Sequence, residues 1–309
     1  MNKLIIISGP TCTGKSSLSI KLAKQIGGEV ISADSIQVYK GLDIGSAKIT
    51  TKEMQGVKHH LIDVLEPNED FNVYIFKEMA KVALEEIYAN DHIPIIVGGT
   101  GFYIQSILYD IDFCKEDNSK VRYELEQELK EKGSVFLYNI LKEIDPKSCE
   151  KIHPNNTKRV IRAIEYYRLN NKPISEHNEE ERLKKSVFDA NYFVLTDERD
   201  KLYERINDRV DTMLEQGLVN EVKGLLDAGL DVNSNSMQGI GYKEIVEHLT
   251  SDVSLEEATY NIKKNTRHFA KRQLTWFRRE RDVNWIDISK YDYDNERILS
   301  YMTEVIKDE

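Results

Sequence analysis

Short apolar runs alternate with amphipathic stretches over the first third of the chain. Residues 4–8 (LIIIS) form a β-branched run closed by Gly9 and Pro10, and residues 16–25 follow with helical spacing, so strand, loop and helix are expected in that order. Further apolar runs at 29–32, 60–65 and 93–97 alternate with helix-like stretches such as 73–88. Continuous apolar runs, rather than strict alternation, mark strands covered on both faces, which is the signature of a parallel sheet with crossover helices. From about 113 to 189 the strand pattern stops. Charged helical segments at 120–132, 134–144 and 156–170 replace it, punctuated by Pro146, Pro154 and Pro173. A strand-like YFVL at 192–195 then returns to the sheet, ahead of long helices at 201–215 and 255–281. The expectation is an α/β fold, a P-loop-containing parallel sheet with crossover helices built from 1–112 and 190–309, plus an inserted all-helical lobe at 113–189.

A chain of 309 residues exceeds the size at which a single core usually stops growing, which fits a main domain with a smaller lobe. The hydrophobic fraction of 40% and charged fraction of 31% are those of a globular protein, not of a disordered or fibrous one. No apolar run is long enough for a bilayer span, so no membrane association and a cytoplasmic location are expected. Cys12, Cys114 and Cys149 are odd in number and far apart, which disfavours both a disulfide framework and a zinc cluster. The net charge of -10 argues against indiscriminate nucleic-acid binding. Locally the balance reverses: residues 263–281 carry eight Lys or Arg against the single acid Glu280. No obligate protein partner is evident.

The chemistry concentrates in Gly9, Pro10, Thr11, Cys12, Thr13, Gly14, Lys15 and Ser16, which fit G-x-x-x-x-G-K-[ST] between a strand and a helix. Glycines let successive N–H groups converge, the helix N-terminus adds positive potential, Lys15 meets phosphate oxygens, and the Ser16 hydroxyl can hold Mg²⁺. The loop predicts a diphosphate guest but not its identity. A strand ending in Asp, as a nucleotide hydrolase would use, is weakly represented, since Asp63 sits inside its apolar run and 93–97 ends in Gly98-Gly99. Asp34, just after the second strand, should face the same crevice, because loops at the carboxyl ends of neighbouring parallel strands converge. Helix capping is its bland alternative. His59 and His60 are read as structural.

Taken together, GPTCTGKS, ADSIQVYKGLDIGSAK, HHLIDV, VGGTGFY, NNTKRVIRAIEYY, MQGIGYKE and TRHFAKRQLTWFR, in this order, resemble the bacterial tRNA dimethylallyltransferases of the tRNA isopentenyltransferase family. The resemblance spans nearly the whole chain. It departs at Cys12, Thr13, Ile36 and Ile49, and the zinc-finger tail of eukaryotic members is lacking. It implies transfer of a five-carbon allylic group from dimethylallyl diphosphate to N6 of an adenosine beside the anticodon, with Mg²⁺ as cofactor and the tRNA anticodon stem-loop as partner. It assigns Asp34 as general base and Thr100 a contact with the substrate tRNA near the reacting centre, where Lys15 of the phosphate loop also acts, and the crevice for the flipped adenine is lined by Asp34, Ser35, Ile36 and Gln37. Gln37 carries a donor and an acceptor suited to an adenine edge. The resemblance also carries over Arg122 and the run Lys158, Arg159, Val160, Ile161 and Arg162 as tRNA contacts; without it, Arg122 and those cations read as solvated helix residues. Arg205 and Arg209, one turn apart on a helix, share a face and are candidates to reach the diphosphate, with neither singled out. The rival readings are a P-loop kinase acting on a small metabolite and an RNA-stimulated NTPase module.

Overall fold

The computed structural model describes residues 1–113 and 119–307. Six strands form one parallel sheet: β1 (Lys3–Ser8), β2 (Gly28–Ser32), β3 (His59–His60), β4 (Ile93–Gly98), β5 (Asp189–Thr196) and β6 (Val283–Asp287), in the order β3-β2-β4-β1-β5-β6. The central strands are almost entirely buried, which is why they read as unbroken apolar runs. Because β2, β4 and β1 lie side by side, the loops that leave their carboxyl ends meet at one edge.

Two elements depart from expectation. The run at 60–65 is a strand only as far as His60, because Leu61 and Asp63 take left-handed φ values of 62° and 54° and turn the chain away. It then runs beside 37–40 through hydrogen bonds such as Val64 N to Val38 O. After the basic helix, which ends at Phe277, the chain adds the edge strand β6 and the helix Asn295–Lys307. That helix lays Ile298, Leu299, Met302 and Ile306 on the same core as Ile5, Ile7, Leu22 and Phe193.

Backbone proximity divides the chain into a unit of 1–108 with 187–309 and a second unit of 109–186. The second unit is all-helical among its described residues. Its long helical stretch Ser119–Ile144 breaks at Gly133 (φ 80°, ψ 170°), so it consists of two helices, and Thr157–Asn170 begins on the Asn156 cap. Leu125, Leu137, Leu141, Val160, Ile161 and Ile164 form its core. Cys12 and Cys149 are free thiols, whereas Cys114 lies outside the described residues. No described helix is long and apolar enough to cross a membrane.

Candidate active site

A cavity of about 630 Å³ opens over the carboxyl ends of β1, β2 and β4. Its first wall is the loop 9–16. Gly9 has φ 140°, and a Cβ there would lie 2.4 Å from the Leu195 carbonyl oxygen of the neighbouring strand, so only glycine fits. Thr13 Oγ1 donates to Pro10 O (2.9 Å), and Gly14, at φ 81°, caps the helix Lys15–Ile26, aiming its N-terminus at the cavity. Lys15 Nζ folds onto Pro10 O at 2.7 Å. Burial pushes its ammonium down to about 8, with the Arg209 cation acting in the same sense and Asp34 against it. Ser16 stands exposed in the first turn and lines the cavity.

Asp34 lies on the second wall. No helix follows it; instead its Oδ1 accepts from the N–H groups of Ile36 (2.9 Å) and Gln37 (3.2 Å), closing a turn. One carboxylate oxygen is thereby fixed by the backbone, which aims the other. Gln37 Nε2 donates to the carbonyls of Ser46 (3.2 Å) and Ala47 (3.4 Å) while its Oε1 accepts from Ser32 Oγ (3.4 Å), so what it offers a purine is the second lone pair of that oxygen. Lys48, its side chain 4% exposed, binds Tyr39 O (2.6 Å), Asp43 Oδ1 (2.7 Å) and Asp63 Oδ1 (2.5 Å), tying the 41–48 loop together. Ser35 and Ile36 line the cavity, Ile36 packing against Gly239.

The third wall is the turn after β4. Thr100 lines the cavity and accepts, through its carbonyl, from Tyr103 N (3.0 Å) at the start of the helix Gly101–Leu108. Gln273, buried on the helix Leu255–Phe277, joins this turn to the phosphate loop: its Oε1 accepts from Thr11 N (3.1 Å) and its Nε2 donates to Gly99 O (3.0 Å). Sequence reasoning gave Gln273 no role, because its partners lie 262 and 174 residues away. Arg272 and Phe269 enter the cavity from the same helix. Within the basic stretch, Lys263 is paired with Asp211 and Arg267 with Asn207.

The two arginines on the helix Arg199–Glu215 are sorted by their partners. Arg209 Nη1 reaches Thr11 Oγ1 (3.4 Å) and Cys12 Sγ (3.7 Å) at the phosphate loop. Arg205 turns to Asp197 (3.3 Å) and the Tyr293 ring. Ile36, Phe71, Val97, Ile206, Val210, Met213 and Phe269 give the cavity an apolar side. His60 Nε2 lies 2.6 Å from Glu29 Oε2, while His59 lines the cavity with Nδ1 on Val57 O (2.9 Å).

Oxygen donors from Ser16 and Asp34 share this cavity, and among the described residues no cluster of three His, Cys, Asp or Glu could hold a metal unaided. Such a donor set suits a hard, water-rich cation shared with a phosphorylated ligand.

In the helical unit, Arg122 and Arg162 both lie near the buried carboxylate of Glu165, at 3.7 and 3.2 Å. Lys158 and Arg159 are exposed. Val160 and Ile161, inside the run expected to meet tRNA, turn their side chains into the core of that unit, 1% and 4% exposed. The reason is helical period, which sends 160 and 161 inward while 158 and 159 stay out.

Residues 37–280 match the family model described as IPP transferase, and residues 2–70 match that of isopentenyl transferase. A tRNA dimethylallyltransferase of Lachnoclostridium phytofermentans is 55% identical over 99% of this chain and 97% of its own. Among solved structures, a tRNA delta(2)-isopentenylpyrophosphate transferase of Staphylococcus epidermidis is 42% identical with a TM-score of 0.74, covering all of both chains. A eukaryotic dimethylallyltransferase, captured acting on tRNA, is 32% identical with a TM-score of 0.86 over all of this chain and 80% of that one.

Proposed function

We propose, from the premise that this chain belongs to the IPP transferase family, that it transfers a dimethylallyl group from dimethylallyl diphosphate to N6 of the adenosine beside the anticodon of tRNA. The observation that carries this reading is one cavity lined by a phosphate loop, a carboxylate and an apolar side. The diphosphate rests on the loop 9–16, where main-chain N–H groups, Lys15 and Arg209 oppose its charge. The five-carbon chain lies on apolar side chains.

As the allylic C–O bond lengthens, its electron pair leaves with the diphosphate. N6 of the adenine forms the new C–N bond and must shed a proton. Asp34, held through Oδ1, accepts that proton on its other oxygen, a role typically worth about 10²- to 10⁴-fold in rate. Ser16 would hold Mg²⁺, and the cation would supply further neutralisation of the leaving group. Thr100 borders the reacting centre. A stacked adenine cannot enter such a cavity, so the base must be extruded, with Ser35, Ile36 and the Gln37 acceptor beside it. Arg122, Lys158, Arg159 and Arg162 of the helical unit contact tRNA phosphates. The location proposed for this activity is the cytoplasm, in keeping with a tRNA substrate and with the absence of a membrane-spanning helix among the described residues.

Incubation with labelled dimethylallyl diphosphate, Mg²⁺ and unmodified tRNA, followed by digestion to nucleosides, tests this. Label on adenosine supports it; ATP consumption with no labelled nucleoside would favour a kinase or an NTPase instead.

A further inference from the structure

The loop that follows Asp34 is held from outside the cavity by one carboxylate. Glu221 Oε2 accepts from the main-chain N–H groups of Asp43 (3.1 Å) and Ile44 (2.7 Å). Its Oε1 accepts from Gly45 N (3.1 Å) and the Tyr242 hydroxyl (2.7 Å). Four donors on one carboxylate, three of them consecutive amides, make a site of the kind proteins build for anions, here occupied by the protein's own side chain. Tyr242 is fully buried, and burial together with the Glu221 charge pushes its phenol far above the ordinary range, so it remains a donor. Its ring also fixes the residue it faces, since a Cβ on Gly45 would lie 2.6 Å from the ring carbons.

The next two residues carry the consequence into the site. The carbonyls of Ser46 and Ala47 receive the Gln37 amide, and Gln37 N is one of the two donors that orient Asp34 Oδ1. Gly45, Ser46 and Ala47 line the cavity, whereas Glu221 and Tyr242 do not. We infer that Glu221, braced by Tyr242, is a positioning residue for prenyl transfer, acting through the 43–47 backbone on Gln37 and Asp34. This role rests on the function proposed above. It separates turnover from donor binding, because the phosphate loop takes none of its contacts from Glu221 or Tyr242.

The test uses Glu221→Gln, Tyr242→Phe and the double variant in the full chain, with kcat and the KM of each substrate measured beside hydrogen exchange at amides 43–45. Glutamine keeps the volume but replaces one acceptor oxygen with a donor that faces other donors. The expected result is a ten- to hundredfold lower kcat, in line with the roughly 10²-fold cost of a 1 Å misplacement, with donor KM within about twofold. Exchange at 43–45 accelerates. Tyr242→Phe removes one donor and lowers kcat less. In the double variant one donor conflict is gone, so its loss is smaller than the product of the single losses. Wild-type kcat in Glu221→Gln, or a loss shared equally by kcat and donor affinity, overturns the positioning role alone. A wild-type protein that forms no labelled prenyl-adenosine overturns the functional reading and this role with it.

Discussion

Asp34 and Lys15 line the same cavity, and the roles proposed for them set opposite requirements, a free oxygen for one and a full charge for the other. In Asp34→Asn the amide oxygen can still accept from Ile36 and Gln37, so the turn persists while the second oxygen becomes an NH₂. Turnover should fall by about 10²-fold or more with donor affinity within about threefold, as measured by single-turnover prenylation and donor titration. Lys15 sets a pH dependence. Its ammonium is depressed to about 8, and the diphosphate contact proposed for it needs the charged form. Donor dissociation constants should therefore rise by up to about tenfold per pH unit above pH 8, and that rise should vanish in Lys15→Ala. The stability sign runs the opposite way. A lysine whose folded pKa lies below its unfolded value gives up its proton first in the folded state, so this contribution to stability grows from pH 8 toward 10.5 and is lost on falling through 8.

At the scale of elements, the phosphate loop depends on a helix from the far end of the chain. Gln273 satisfies Thr11 N and Gly99 O at once, and Gly99 has no room for a Cβ, which would lie 2.0 Å from Gln273 Nε2. Gln273→Ala leaves two partly buried backbone groups unpaired. It should cost roughly 1–3 kcal/mol, read as a lower thermal midpoint, and weaken donor binding in titration. Wild-type donor affinity would remove Gln273 from the loop's support. The same contrast explains what the sequence reveals. Residues 9–16 and Asp34 are legible because each signal is contiguous and sits at a strand end. Strands β1, β2 and β4 are legible because burial on both faces leaves an unbroken apolar run. Strand β6 is an edge strand with one buried residue, Ile286, and writes no such run. The helix 295–307 did carry a readable stripe in Ile298, Leu299, Met302 and Ile306, but its meaning depends on the sheet face that receives it. Arg209 and Arg205 share a helix face, and only the partners Thr11 and Asp197 separate them.

For the whole molecule, a net charge of -10 coexists with a polyanionic substrate, so attraction must be local. Part of the basic stretch 263–281 is already engaged within the protein, Lys263 by Asp211 and Arg267 by Asn207. Of the cations in the helical unit, Arg122 and Arg162 stand against Glu165, while Lys158 and Arg159 extend from the exposed face of Thr157–Asn170. Binding by counterion release makes the salt slope a count of phosphate contacts, independent of total charge. If Lys158 and Arg159 each neutralise a phosphate, replacing both with alanine should reduce the slope of log K against log salt for tRNA by about 2. Val160→Ala, which cuts into the core of the unit, should lower its stability without changing that slope in the folded fraction. Donor affinity should be untouched in the Lys158 and Arg159 variants, since the role proposed for them is contact with tRNA phosphates alone. A slope unchanged by the double replacement would make these side chains a solvated helix face.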